Sequence, residues 1–248
     1  MINSAVVPPA SVGANGQVLQ SNGAGGSEWA TLPENLSAVS VQVFTTSGTY
    51  TPVAGMKYCT VECVGGGGGG GGVVGTGGQT ACAAGGGAGG YSKVTTDAAA
   101  IGASRTITIG VGGVGGLAGN NVGQTGGSSS CSGIVSATGG TGGVGGVTGG
   151  GNAYSGSGGP GGAGSLGDLN LAGDFGGRGQ KLNGTNGALG GVGASSFYGS
   201  GGNVVSGSSN GANANNYGSG GSGASAIGTP SRSGGNGSMG LIVITEYW

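Results

Sequence analysis

Few side chains in this sequence could do chemistry, and their identities close off most reactions. Histidine is absent, so neither a Ser-His-Asp or Cys-His nucleophile system nor an HExxH zinc helix can be assembled. Glycoside cleavage needs two facing carboxyls, and the acids available for it, Glu62, Asp97, Asp168, Asp174 and Glu246, show no paired spacing. Cys59 and Cys63 are spaced C-x3-C, with Cys82 and Cys131 far downstream. That is not the paired C-x2-C of a zinc ribbon, and the alternating apolar pattern around the first two reads as buried free thiols. Gly110-Val111-Gly112-Gly113-Val114-Gly115 fits GxGxxG, but no helix with a downstream acid follows, as a dinucleotide site requires. None of Lys57, Lys93 and Lys181 completes a phosphate loop. Asp168-Leu169-Asn170 opens like a calcium loop, yet Ala172 and Gly179 stand where the fifth and twelfth ligands belong. The expectation is a protein with no catalytic residue, no cofactor and no metal.

What remains is contact chemistry. Tyr154, Phe175, Phe197, Tyr198 and Tyr217 lie between glycine-rich islands, interleaved with Asn152, Asn203, Asn210, Asn213, Asn215 and Asn216. Aromatics among Ser, Gly and Asn form the composition that antibody paratopes use, rigid contact area beside adaptable hydrogen bonds. Tyr154, Phe175, Phe197, Tyr198, Asn203, Asn213, Asn215, Asn216 and Tyr217 are therefore the candidate contacts with a partner. The competing use of each ring is to plug a gap in the scaffold.

The scaffold that must hold these residues is unusual in composition. Glycine accounts for 73 of the 248 residues, roughly four times ordinary usage. Six Lys+Arg stand against seven Asp+Glu, too little positive charge to neutralise a run of phosphates, so nucleic acid is excluded as a partner. The near-neutral balance also predicts only modest salt dependence of binding. No apolar run approaches the ~18 residues of a membrane span, and the N-terminus lacks the basic region of a secretory signal. Residues 1–36, with turn signals around Gln17-Val18-Leu19 and a lone Trp29, read as a connector or attachment segment. Residues 37–248 read as one glycine-rich domain.

Within that domain, ordinary strands bracket the glycine. Val39, Val41 and Val43 alternate with polar residues, Cys59, Val61 and Cys63 share one face of another strand, and Leu241 to Tyr247 ends the chain. The β base is expected at 37–64, 91–111 and 240–247, with the glycine body at 65–238. Inside the body the register is three, as in Gly139-Gly140-Thr141-Gly142-Gly143-Val144-Gly145-Gly146. Three is the period of the left-handed polyproline II helix, whose peptide groups have no internal partners. Glycine lets such helices approach closely enough to pair those groups between neighbours. The expected fold class is all-β plus polyglycine II: a small strand base bracketing a stacked polyglycine-helix sandwich, with essentially no α-helix. Pro160 fits the same helix through its fixed φ.

The stretches FTTSGTYTPVAGMKYCTVECVGGGGGGGG (44–72), GGGAGGYSKV (85–94), RTITIGVGGVGG (105–116) and GLIVITEYW (240–248) resemble the glycine-rich receptor-binding domain of bacteriophage tail fibres. The segment SVGANGQVLQSNGAGGSEWATLP resembles the short connector that precedes such domains. In the tip adhesins of T-even-type phages, polyglycine II helices stack into a sandwich whose distal loops bind the host surface. The resemblance implies a virion protein of the distal tail fibre, bound to a host cell-surface receptor (a glycan or an outer-membrane protein), to other tail proteins and to itself as a homotrimer through 1–36. The loops expected to make contact are 147–155, 165–175, 194–198 and 203–217. A structural fibre-tip cap, or an ice-binding protein built on the same helices, is the alternative. The chain departs from relatives at Ser128-Ser129-Ser130-Cys131-Ser132-Gly133, where an aromatic often follows the serines, and it has no long shaft.

Overall fold

Period-two alternation gives strands with one apolar face, and that face must be covered. The computed structural model describes residues 14, 17–21, 26–31, 38–146, 148–149, 153–183 and 187–248. Much of the 1–36 connector therefore lies outside the described residues. Within it, β1 (Gln17–Ser21) and β2 (Ser27–Thr31) form an antiparallel pair with Leu19 opposite Trp29.

Two five-stranded sheets make the base. In the first, β5 (Tyr58–Val64) lies between β7 (Tyr91–Asp97) and β17 (Leu241–Tyr247), with β13 (Leu169–Leu171) and β3 (Val39–Phe44) at the edges. The second runs β12 (Gly164–Ser165), β10 (Val135–Ala137), β9 (Ser129–Cys131), β8 (Arg105–Thr108), β4 (Gly48–Tyr50). Between them Cys59, Val61, Cys63, Ile242 and Ile244 meet Tyr50, Ile107, Cys131, Val135 and Ala137 in one apolar core. All four cysteines are buried and unpaired. Burial pushes the thiols of Cys59 and Cys131 up to about 11 and that of Cys63 up to about 12, which makes them inert core side chains.

Two expectations about the base need correction. Between the two strands of the 91–111 stretch lies a one-turn helix, α1 (Ala98–Ile101), which follows β7, with the Asp97 carboxylate accepting from the Ala100 N–H at 2.8 Å. The strand expected to run on to Val111 ends at Thr108, because Gly110 onward belongs to the glycine body. Residues 129–137 and 164–171, assigned to that body, instead return to the base as β9, β10, β12 and β13.

The body is a lattice of extended glycine segments tied by main-chain hydrogen bonds. Its central member, segment I (65–73), shows period three directly. The N–H groups of Gly65, Gly68 and Gly71 donate to Gly90, Gly87 and Ala84 of segment II (83–90). Those of Gly66, Gly69 and Gly72 donate to Gly127, Gln124 and Asn121 of segment IV (121–127). Those of Gly67, Gly70 and Val73 donate to Ser238, Gly235 and Arg232 of segment XII (232–240), all nine at 2.8–3.0 Å. Its carbonyls accept in the same rotation from segments III (110–117), V (138–146) and XI (218–224). The described glycines with positive φ, such as Gly78, Gly102 and Gly207, lie outside segment I. Its helix is thus the left-handed one, since the mirror form would need positive φ.

The remaining segments, VI (158–163), VII (172–177), VIII (190–194), IX (200–205) and X (211–216), extend the lattice through further main-chain bonds. Glycine density tracks position. Segment I meets backbone on every side, and a Cβ at Gly67, Gly68 or Gly69 would come 1.9, 2.2 or 2.2 Å from a carbonyl oxygen. Segment V has one free ridge and reads G-G-X, with Thr141 and Val144 exposed. Segment IV, at an edge, buries only Gly123 and Gly126 of its middle residues and leaves Asn121, Val122, Gln124 and Thr125 in solvent. At the end away from the base, short strands cap the segments: β6 (Thr80–Cys82) pairs with β16 (Ser225–Ile227), and β14 (Gln180–Asn183) with β11 (Ala153–Tyr154) and β15 (Gly187–Leu189). A small apolar cluster of Val73, Ala81, Ala83, Ala224 and Ala226 sits under that cap.

Candidate functional site

Chain direction decides which loops can act together. Segment I leaves β5 and runs away from the base, segment II returns into β7, and the antiparallel and parallel bonds carry this alternation through to segment XII, which returns into β17. The connections therefore alternate between two ends. At the distal end lie 74–82, 118–120, 206–210, 225–231 and the described residues of 147–157 and 178–189. At the base end lie the strand connections, the 195–199 turn and the turn at Tyr217.

This division separates the expected contact residues. Tyr154 is exposed on β11 at the distal end. Phe175 is exposed on the flank, along segment VII. Asn203 is exposed on segment IX. Phe197 and Tyr198 belong to the base end: Phe197 stacks on Tyr91 with ring centroids 4.5 Å apart, and Tyr198 meets Phe197 edge-on at 5.2 Å. Asn213, Asn215, Asn216 and Tyr217 also approach the base, on segment X and the turn after it. Asn213 is scaffold as well as surface, since its Oδ1 accepts from the Asn236 N–H at 2.8 Å. Asn210 does the same for Ser233 at 3.2 Å, and Asn216 holds the turn with φ 59°. Asn152 lies outside the described residues. Half-buried Tyr217 lines a groove of about 610 Å³ with Val111, Val114, Asn236 and Met239.

The base-end aromatics are anchored by one carboxylate. Glu62 on β5 accepts from the Tyr91 hydroxyl at 2.6 Å and the Tyr198 hydroxyl at 2.7 Å, and pairs with the Lys93 ammonium at 3.1 Å. Burial alone would raise its pKa, but the two phenols and Lys93 together hold it below the usual carboxylate range. Burial and the same carboxylate keep both phenols protonated. A depressed carboxylate stabilises the fold above its unfolded pKa of about 4.3 and loses that contribution as pH falls through the folded value. Acidification below about pH 4 should therefore lower the melting temperature of the parent more than that of Glu62→Gln. Equal slopes in a pH series of melts would show that Glu62 does not tie the 195–199 turn to the base. Beside this cluster, Tyr91, Phe197, Leu171, Asp174 and Ser196 line a shallow pocket of about 260 Å³.

Sequence reasoning missed the charge arrangement. Arg178, Lys181 and Arg232 lie in or against the distal loops, whereas no Asp or Glu occurs in any of them. Glu62, Asp97, Asp168 and Glu246 all belong to the base. A chain of net charge −1 thus presents one cationic end. The positions were visible in the sequence, but which loops share an end was not.

A base of two five-stranded sheets thus carries a lattice of extended glycine segments, with one set of loops at the far end and another beside the base. The chain belongs to the glycine-rich domain family, whose match covers residues 41–247. No curated protein shows significant similarity to it.

Proposed function

We infer that the protein is a non-enzymatic adhesin at the tip of a phage tail fibre, which binds a host surface glycan or outer-membrane protein through its distal loops. The observation that carries this reading is the polarity of the molecule. Ala38 and Trp248 exchange main-chain hydrogen bonds of 3.1 and 3.3 Å, and the pairing of Tyr247 with both Val39 and Tyr58 puts them at the edge of the base farthest from the glycine body. Whatever precedes residue 38 joins there, so the distal loops face away from the mount. The edge strand β3 also turns Val39, Val41 and Val43 outward, each more than half exposed, an apolar face suited to other tail proteins or to neighbouring copies. The resemblance to tail-fibre receptor-binding domains supplies the biological setting, with the protein on the virion and residues 1–36 as its trimeric attachment. A rigid hydrogen-bonded scaffold displaying softer loops is the usual division of labour in recognition. Several copies on one particle would raise weak single contacts by effective concentration.

The test exchanges loops with those of a related fibre and measures adsorption across a panel of bacterial strains. Exchange of 178–189 or 206–210 should shift host range, while exchange of the base-end turn 195–199 should not. Unchanged host range after every distal exchange, with the fold intact, would retire the reading. Light scattering on the same purified parent chain should give the mass of a trimer; a monomer would remove self-assembly from it.

A further inference from the structure

We propose that the distal pocket around Lys181 is a subsite for a single anionic group, the carboxylate of an acidic sugar or a phosphate ester carried by a surface polysaccharide. The inference rests on the adhesin reading for its biological source, and on the following geometry for its chemistry.

Lys181 lies on β14 and is only 8% exposed, a rare state for an ammonium group without a counter-charge. Its Nζ donates to the Gly149 carbonyl at 3.3 Å, the long end of hydrogen-bond distance. An ammonium carries three N–H donors, and among the described residues no acid pairs with this one. The side chain lines a cavity of about 120 Å³ together with Cys82, Gly145, Gly146, Tyr154 and Ser155. A cavity of that size has room for a carboxylate or phosphate group.

The rest of the lining explains why the charge stays unmatched. Burial raises the Cys82 thiol, so it remains neutral despite the neighbouring ammonium. Ser155 is already committed: its Oγ accepts from the Gly179 N–H at 2.7 Å and donates to the Gly156 carbonyl at 3.0 Å. Those two bonds hold Ser155 at the end of β11, the strand that pairs with β14. Tyr154, well exposed beside the pocket, offers a ring and a hydroxyl to whatever the anion is attached to. Arg178 and Arg232 occupy the same end of the molecule, with no acid in the distal loops, and their field draws anions towards it. The buried ammonium is thus a preformed half of an ion pair, and the pocket admits the other half from solvent.

The experiment uses the full chain and three probes that share one hexose ring, glucuronic acid, glucose 6-phosphate and glucose, with binding followed by calorimetric or NMR titration. One or both acids should bind on the order of millimolar, more tightly than glucose, and which of them binds identifies the anion as carboxylate or phosphate. Lys181→Met should weaken that binding at least tenfold, Lys181→Arg should retain part of it, and raising salt should weaken it in the parent. Both variants are checked for folding by melting before titration. Two results would overturn the inference: neither acid binding better than glucose, or folded Lys181→Met binding as the parent does. These outcomes are independent of phage adsorption, so failure of the adhesin reading would show as unchanged host range with anion binding intact.

Discussion

Gly68→Val should yield no soluble folded protein. A Cβ at this position would lie 2.2 Å from the carbonyl oxygen of Thr141 and 2.5 Å from its carbonyl carbon, where ordinary contact is well beyond 3 Å. The displacement needed to relieve that clash cannot stay local. Gly68 donates to Gly87 at 2.9 Å and accepts from Gly221 at 2.9 Å, so moving it disturbs segments II and XI while pressing on segment V. Overpacking in an ordinary core costs about 1–3 kcal/mol because side chains can shift. Here the obstacle is backbone on all sides, and the cost should consume most of the ~5–15 kcal/mol that a domain has in hand. Gly48→Ala is the control, because nothing lies within 4 Å of the added Cβ; it should melt within about 0.5 kcal/mol of the parent. Soluble yield, circular dichroism and thermal melting decide the matter. Folded Gly68→Val melting with the parent would mean that glycine is not required for segment contact.

The same geometry explains what could be read from the sequence. Segments I and V were legible because interior and one-ridge positions demand glycine at all, or two in three, of their residues, and that produces a visible register. Segments IV and X were not. Asn121 to Gly127 and Gly211 to Asn216 sit at lattice edges, and the G-x-x spacing of the first and the single glycine of the second resemble loops in a glycine-rich chain. Missing them had a consequence for the site. Connections alternate strictly between the two ends, so a complete count of segments would have assigned 195–199 to the base and 178–189 to the tip. Without it, Phe197 and Tyr154 looked equivalent. The strands β9, β10, β12 and β13 escaped for another reason: each has two or three residues, often serine or glycine, and is held by its neighbours rather than by its own propensity. The strands with clear alternation, β3, β5 and β17, were found near their actual bounds because an apolar face has to be covered wherever it occurs.

Glu246→Ala should be strongly damaging to the base, lowering stability by about 2–5 kcal/mol through stranded donors and the cavity left behind. Strand alternation turns Glu246 to the same face of β17 as Ile242 and Ile244, and it is fully buried. No lysine or arginine pairs with it among the described residues. Instead its Oε1 accepts from the Tyr50 hydroxyl at 2.8 Å and the Val53 N–H at 2.9 Å, while Oε2 accepts from the Gln42 amide at 3.2 Å. Burial, first, and this carboxylate keep the Tyr50 hydroxyl protonated far above its usual range. Alanine would leave the buried Tyr50 hydroxyl only the weakly accepting Met56 sulfur at 3.3 Å, free the Val53 N–H and open a void between them, which is why the loss should exceed that of a typical hydrogen bond. At about 2–4 °C per kcal/mol for a chain of this size, the melting temperature should fall by roughly 10 °C. Glu246→Gln is the informative partner. Its carbonyl oxygen can keep both bonds at the Oε1 position, and its amide can donate to Gln42 once that side chain turns over, so the cost should be nearer 1 kcal/mol. Equal losses for the two variants would mean that the carboxylate's charge, not its acceptor geometry, stabilises the base. The effect also bears on recognition: Glu246 fastens the 50–53 turn beside the Ala38–Trp248 pairing, so Glu246→Ala should loosen the mount while leaving the distal loops unchanged. Anion binding by the fraction that remains folded should therefore match the parent, which separates the two ends of the molecule by experiment.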